Sequence, residues 1–518
     1  MIAAILVLHL SVTAYGVTGS GEIAVDKTTG KFVRRFDAGP VSEQEGFDGR
    51  RAWRADATGM ARIEGNAGER SEILAWSRAL ASAIRAQQPA GGALRITIAG
   101  ATDHVTLSFD RYRTFGTLRV PTRIVSQSEQ NGSWTATVQS WNQTRSRPDF
   151  FAPPAMLPRD FRLTATTRVP VSMSGGSPVI TATVNGKQLQ FLLDTGGQNV
   201  LTEAAAKDLG LHLLGRGTVG GGGGGTASIR YATVQTVDIG GAELFHQPFI
   251  VLPANALPGG IDGIVGYELL ARFAARLDMA HGTLELAPAA TAFGPPVAPA
   301  AFVYLDRQPQ VNGSLDSAAG AFSIDTGSSL TAQIQTPAVR KYDLVNRLHA
   351  TVAAYANDVG GRYPIYLVRA GAMRLGSALF PAPIVDLLVR ASTSNNSSIV
   401  GNVGDGILKR WVLVFDYAHQ IVDFRPGGDT AGNVIHDHSG MVVTAESDAL
   451  VIEQVLGGTP AADAGLKEGA RITSIDGNAV GGKDLDRVRT LLRADPGTKI
   501  ALTLADGSTH QLVLRQYL

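Results

Sequence analysis

The chain has 518 residues, a length that at about 150 residues per domain predicts three or four domains. Lys and Arg total 46 against 45 Asp and Glu, and this net charge of +1 gives no electrostatic reason to expect nucleic acid or an anionic membrane as the main partner. Hydrophobic residues make up 44%, aromatics 7%, and glycines number 60, a mix that favours sheets and tight turns over helical bundles, while the absence of Cys excludes a disulfide scaffold, a thiol nucleophile and a Cys-ligated zinc site.

The chain opens on MIAAILVLHLSVTAYG, an apolar run with no Lys or Arg before Lys27. It has the length of a signal-peptide core and is too short for a membrane span. One reading is a signal segment over residues 1–20, cleaved near Ala14 to Gly16, in an exported protein of the periplasm or cell envelope. The other is a buried first strand, and the missing basic stretch ahead of the run counts against the signal. No later stretch is apolar for long enough to span a bilayer.

Proline and glycine clusters at Pro148–Pro158, Ala287–Ala301 and Pro426–His438 divide the remainder into residues 21–155, 170–290, 300–427 and 438–518. In the first segment, WSRALASAIRA from Trp76 reads as a helix, and ALRITIA, HVTLSFD and SWTATVQSW read as alternating strands. The phrase FDRYRTFGTLRVPTRIVS, with the strand at Trp134, resembles periplasmic lipoprotein-carrier-like domains, which are half-open β-barrels. A β-rich antiparallel domain without catalytic residues is the alternative.

The next two segments repeat each other. FLLDTGGQ carries Asp194, Thr195 and Gly196, and FSIDTGSS carries Asp325, Thr326 and Gly327. Each Asp follows an apolar strand-like run and precedes a turn, where an unpaired carboxylate would be costly and a close acidic partner is a reason to retain one. Downstream, Gly266 of the first Ile-Val-Gly lies 72 residues after Asp194, and Gly401 of the second lies 76 after Asp325. A short helix and a strand ending in Asp278 or Asp416 follow each. Matched order and spacing define an internal repeat.

Two Asp-Thr-Gly phrases with these partners resemble the retropepsin/pepsin class of aspartic peptidases, with both lobes in one chain over about residues 170–427. The resemblance implies a mainly β, bilobed aspartic-protease β-barrel fold. It also implies catalytic Asp194 and Asp325 sharing one proton around a water, because two adjacent carboxylates do not both ionise easily. Thr195 and Thr326 would hydrogen-bond across the lobe junction. Gly196 and Gly327 would let backbone amides approach the carboxylates. Ser328, which follows the second phrase where Gly197 follows the first, could make the pair asymmetric through its hydroxyl. Glycines suited to a mobile flap fall at the run 220–225, including Gly221 and Gly222, and at Gly360 and Gly361. The glycine run lacks the Gly-Lys-Ser/Thr of a phosphate loop. Asp262, Asp278 and Asp416 lack a following Thr-Gly and read as turn or strand-end residues. His436 and His438 stand in a linker without further ligands, so no metal and no cofactor are expected.

The final segment, with TPAADAGLKEGARITSIDG from Thr459 to Gly477, resembles a bacterial PDZ domain, Ala470 replacing the usual Asp. By that resemblance Ser439, Gly440 and Met441 form a carboxylate-binding loop. A C-terminal peptide would then add as a strand beside Met441, Val442 and Val443. Leu485, Val488, Leu491 and Leu492 give the later helix an apolar face.

The expected function is therefore an aspartic endopeptidase acting on protein or peptide substrates, with the PDZ domain recruiting them, and with neither nucleic acid nor a membrane span beyond the N-terminal segment. The alternative is a non-catalytic peptide- or lipid-binding envelope protein. A processing enzyme with one narrow target, or one acting on itself, has the same sequence signature.

Overall fold

The structure is a computed structural model of the chain and describes residues 4–26, 28–85, 93–99, 104–115, 118–128, 132–145, 149–154, 160–220, 226–254, 256–358, 361–390, 399–427, 437–446 and 449–518. It is mainly β. The first 145 residues build a ten-stranded antiparallel sheet around the helix Ala67–Arg85.

The apolar N-terminal run lies inside this sheet. The strand Ala4–Ala14 pairs with Val17–Asp26 on one side and Ser133–Arg145 on the other. Leu6, Leu8, Leu10 and Val12 pack with Trp76 and Leu80 of the helix, while Ile5 and Val7 face the opposite way onto Val33, Trp53 and Phe151. A strand buried on both faces has no polar alternation, so its sequence is as apolar as the core of a leader. Residues 4–14 thus form the first strand of this sheet, with a neighbour on each side. No helix among the described residues is long and apolar enough to cross a membrane.

The repeat appears as two similar arrangements of strands. In the first, the hairpin Ser177–Val184/Lys187–Leu193 leads to Asp194, and Lys187–Leu193 runs parallel to the short strand Gly263–Val265. In the second, Gln308–Leu315/Ala318–Ile324 leads to Asp325, and Ala318–Ile324 runs parallel to Gly401–Val403. Register sets the correspondence: Leu193 faces Val265 and Ile324 faces Val403. Gly266 therefore matches Gly404, and Ile264 matches Asn402. The sequence pairing of Gly266 with Gly401 is off by three residues, because the second Ile-Val-Gly lies upstream of the strand that does the pairing.

Each repeat contributes strands to one shared sheet, in which Ala274–Asp278 pairs antiparallel with Trp411–Asp416. Asp278 and Asp416 end these two strands and accept backbone hydrogen bonds from His281 and His419. One apolar core, including Phe191, Phe249, Tyr267, Phe322, Phe415 and Phe424, runs through both repeats.

The last sheet is ordered Met441–Glu446, Ala449–Val455, Arg471–Ile475, Lys499–Leu504, Thr509–Val513, with Met441–Glu446 at its edge. Val488 and Leu492 enter its core, and Leu485 and Leu491 pack half-buried against it.

Candidate active site

Asp194 and Asp325 each leave a buried strand at a tight turn, and their backbone amides donate to Val265 O and Val403 O, both at 2.9 Å. The turns are locked to each other by a two-fold exchange. Thr195 N donates to Thr326 Oγ1 and Thr326 N to Thr195 Oγ1, both at 3.0 Å. Thr195 Oγ1 donates to Ile324 O (2.8 Å) and Thr326 Oγ1 to Leu193 O (2.7 Å). Both threonines are fully buried. Each hydroxyl thus uses its donor and an acceptor lone pair, so the polar junction is satisfied in a dry setting.

The glycines are required by contact. Gly196 N donates to Asp194 Oδ1 (2.7 Å) and Gly327 N to Asp325 Oδ1 (3.0 Å). A Cβ on Gly327 would lie 2.3 Å from Asp194 Cγ, and one on Gly196 would lie 2.8 Å from Asp325 Cγ. Burial, then the charge of Asp325 nearby, raises the Asp194 carboxyl well above the ordinary carboxylate range.

The pair is asymmetric, and the source is Asn402. Its Nδ2 donates to Asp325 Oδ2 at 2.7 Å. The corresponding Ile264 offers only a methyl group near Gly197, beside Asp194. Ser328 does not play the part expected of it: among the described residues its hydroxyl bonds neither carboxyl, and its carbonyl accepts from Asp405 N at 2.7 Å. Asp405, which matches Tyr267 by register, is fully buried with neither carboxyl oxygen hydrogen-bonded. Burial first, then Asp325 and Asp194, push it up to about 10, so it stands as a neutral acid near the pair. Sequence reading missed Asn402 and Asp405. The available signal was a polar residue inside the apolar phrase Val400–Val403 and an acid two residues beyond it.

Of the flap candidates, Gly221, Gly222 and Gly360 lie outside the described residues. Gly361 opens the strand Gly361–Arg369, paired with Val352–Asp358. The arms of the first hairpin, Leu214–Gly220 and Thr226–Ile239, are paired up to Gly220 opposite Thr226. Each hairpin is tied to a flanking unit. Arg216 N donates to Tyr15 O at 2.6 Å, and the Tyr15 and Tyr231 rings lie 5.6 Å apart. In the second hairpin, Tyr355 N donates to Gln454 Oε1 (2.8 Å) and Gln454 Nε2 donates to Tyr355 O (2.5 Å). A side-chain amide thereby imitates a strand partner. Leu456 adds an apolar contact with Val352, Ala354 and Ile365.

In the C-terminal unit, Gly440 N donates to Asp437 Oδ1 (2.7 Å), Met441 N donates to Ser439 Oγ (3.1 Å), and Val442 lines a cavity shared with the second repeat. His438 Nδ1 is 2.8 Å from Ala494 O, and His436 lies outside the described residues.

A family model described as aspartyl protease matches residues 180–269, and one described as a PDZ domain matches residues 451–506. The chain is thus a mainly β protein with an aspartic-protease-like domain, and it carries a separate C-terminal PDZ domain. The crystal structure of the aspartic proteinase from Irpex lacteus matches over 52% of this chain and 100% of that chain, at 15% identity and a TM-score of 0.39. No curated protein matches the chain.

Proposed function

We propose that the protein is an aspartic endopeptidase in which Asp194 and Asp325, both from one chain and one from each of two lobes, hydrolyse peptide bonds through a shared water. The observation that carries this reading is the packing of each carboxyl group against the glycine of the other turn, on turns locked by the Thr195–Thr326 exchange.

In this mechanism the pair holds one proton. The titration belongs to the pair, yet its surroundings bias where the proton sits. Each carboxyl accepts from the amide of its own turn glycine, but among the described residues Asp325 alone also accepts from a side chain, Asn402. Asp194 keeps the proton. Ionised Asp325 takes a proton from water as its oxygen attacks the scissile carbonyl carbon, and Asp194 gives its proton to the carbonyl oxygen. Collapse of the resulting gem-diol breaks the C–N bond as Asp325 gives its proton to the amine nitrogen and a diol hydroxyl gives its proton to Asp194, which leaves a carboxylic acid and the singly protonated pair. The aspartyl-protease and PDZ family matches support the same reading.

The test is hydrolysis of an unfolded polypeptide by the full chain, followed by mass spectrometry of the fragments. Asp194→Asn and Asp325→Asn should each lower the rate by about 10³-fold or more, and the double variant should lose little further, as residues acting as a unit are not additive. Full activity in Asp325→Asn would overturn the assignment and favour the non-catalytic binding protein.

A further inference from the structure

The loop before Met441 is occupied by the chain itself. Asp437 Oδ1 accepts from Ser439 N (2.9 Å), Gly440 N (2.7 Å) and Ser439 Oγ (2.7 Å), and Ser439 Oγ in turn accepts from Met441 N. These are the amides that the PDZ resemblance assigns to a ligand's terminal carboxylate. An incoming carboxylate would have to displace one already making three hydrogen bonds, so a free C-terminus gains little here.

The strand that follows is in a different state. Met441–Glu446 pairs on one side with Ala449–Val455 and, among the described residues, has no strand neighbour on the other. Val443 O accepts instead from Arg489 Nη2 at 3.0 Å. Val442 and Arg489 line a cavity of about 1120 Å³ whose other wall belongs to the second repeat through Leu330, Tyr355, Ile365 and Lys409. The same cavity reaches Ser329, four residues past Asp325.

Its charge is uneven. Lys409, Arg489 and Arg493 line it together, and neither Lys409 nor Arg493 forms an ion pair among the described residues. Burial, then Arg493, pulls the Lys409 ammonium below its ordinary value. Of the carboxyl groups on the lining, Asp437, Asp386 and Glu453, the first is engaged by the loop and the second is pushed up to about 7 by burial.

We propose that this cavity holds an extended internal segment of a protein substrate, apolar with an acidic side chain, running from the PDZ edge strand toward the Asp pair, and that it does not take a free C-terminus. The inference rests on the endopeptidase reading for what the segment is. An internal segment needs no carboxylate loop. It adds to Met441–Glu446 through main-chain hydrogen bonds, its N–H replacing Arg489 at Val443 O. Arg489, so released, joins Lys409 and Arg493 in pairing with the acid, while Leu330 and Ile365 take the apolar side chains. One of the recognising cations therefore belongs to the protease repeat and not to the PDZ domain.

The experiment measures binding in the full chain carrying Asp325→Asn, so its result does not depend on whether the pair hydrolyses anything. The probes are two fluorescein-labelled peptides of one sequence, alternating Val and Leu with Glu at the centre, one C-terminally amidated and one with a free carboxylate. Fluorescence anisotropy should give dissociation constants within about twofold of each other, and added Lys409→Glu should weaken both by about tenfold or more. Arg493 is exposed on the PDZ surface, so Arg493→Glu provides a second variant without a folding penalty, with the same expected direction. Tenfold tighter binding of the free-carboxylate form, undiminished binding in both charge-reversal variants, or no binding of either peptide at about 1 mM would overturn the proposal.

Discussion

Asn402 donates its side-chain amide to Asp325 Oδ2 at 2.7 Å, and no polar side chain occupies the corresponding place beside Asp194, where Ile264 stands. This one hydrogen bond separates two carboxyl groups that are otherwise related by a near two-fold repeat. It predicts the shape of the pH profile. Activity requires one proton on the pair, so it is lost at low pH when the pair takes up a second proton and at high pH when it loses the one it holds. Asn402→Leu removes a side-chain donor to the pair's carboxylate, and the acidic limb of kcat/KM should move to higher pH. An unmoved acidic limb would place the asymmetry elsewhere.

The neutral state of Asp405 is testable by a substitution that changes no charge. With its carboxyl held protonated up to about pH 10, Asp405→Asn should leave both limbs of the pH profile in place. Were Asp405 ionised near the pair, the same substitution would shift both limbs downward.

The Thr195–Thr326 exchange should be a stability element as well as a positioning one. Thr195→Val removes the acceptor for Thr326 N and the donor to Ile324 O, stranding two buried groups, with an expected loss of about 2–4 kcal/mol in urea unfolding. Thr326→Val should cost a similar amount by the same symmetry. The two variants break different pairs of hydrogen bonds, so the double variant should lose about the sum of the single losses.

Asp386, fully buried and facing the cavity beside the PDZ domain, is pushed up to about 7 by burial. A carboxyl whose folded value is raised favours the folded state fully below its unfolded value near 3.8 and loses that contribution as pH rises toward about 7. The melting temperature of Asp386→Asn should therefore fall less than that of the parent between about pH 4 and pH 7. Parallel melting curves across that range would show that Asp386 stays solvated.

Gln454 holds the second hairpin from the PDZ side. Gln454→Ala should leave both sheets folded yet speed amide exchange of Tyr355 and its neighbours in Val352–Asp358, since their outward main-chain partner is gone. Unchanged exchange would mean that the Leu456 contact alone fixes the hairpin.

The sequence by itself determined the repeated Asp-Thr-Gly turns, the apolar strands that deliver them and the PDZ phrase from Thr459 to Gly477. Each is a local pattern: a period of two, a turn residue or a short motif that survives without knowledge of what packs against it. Tertiary structure alone decided the rest. The strand Ala4–Ala14 is apolar on both faces because a sheet and a helix cover it, and no local period distinguishes that from a leader. The match of Asn402 to Ile264 depends on which three residues pair with Ala318–Ile324, and the tempting Ile-Val-Gly lost to backbone register. Asp437 fills the loop at Gly440, and Gln454 reaches Tyr355 across 99 residues of sequence. Such contacts are fixed by the closing of long loops around a common core, so their partners are set by packing and register and not by spacing along the chain.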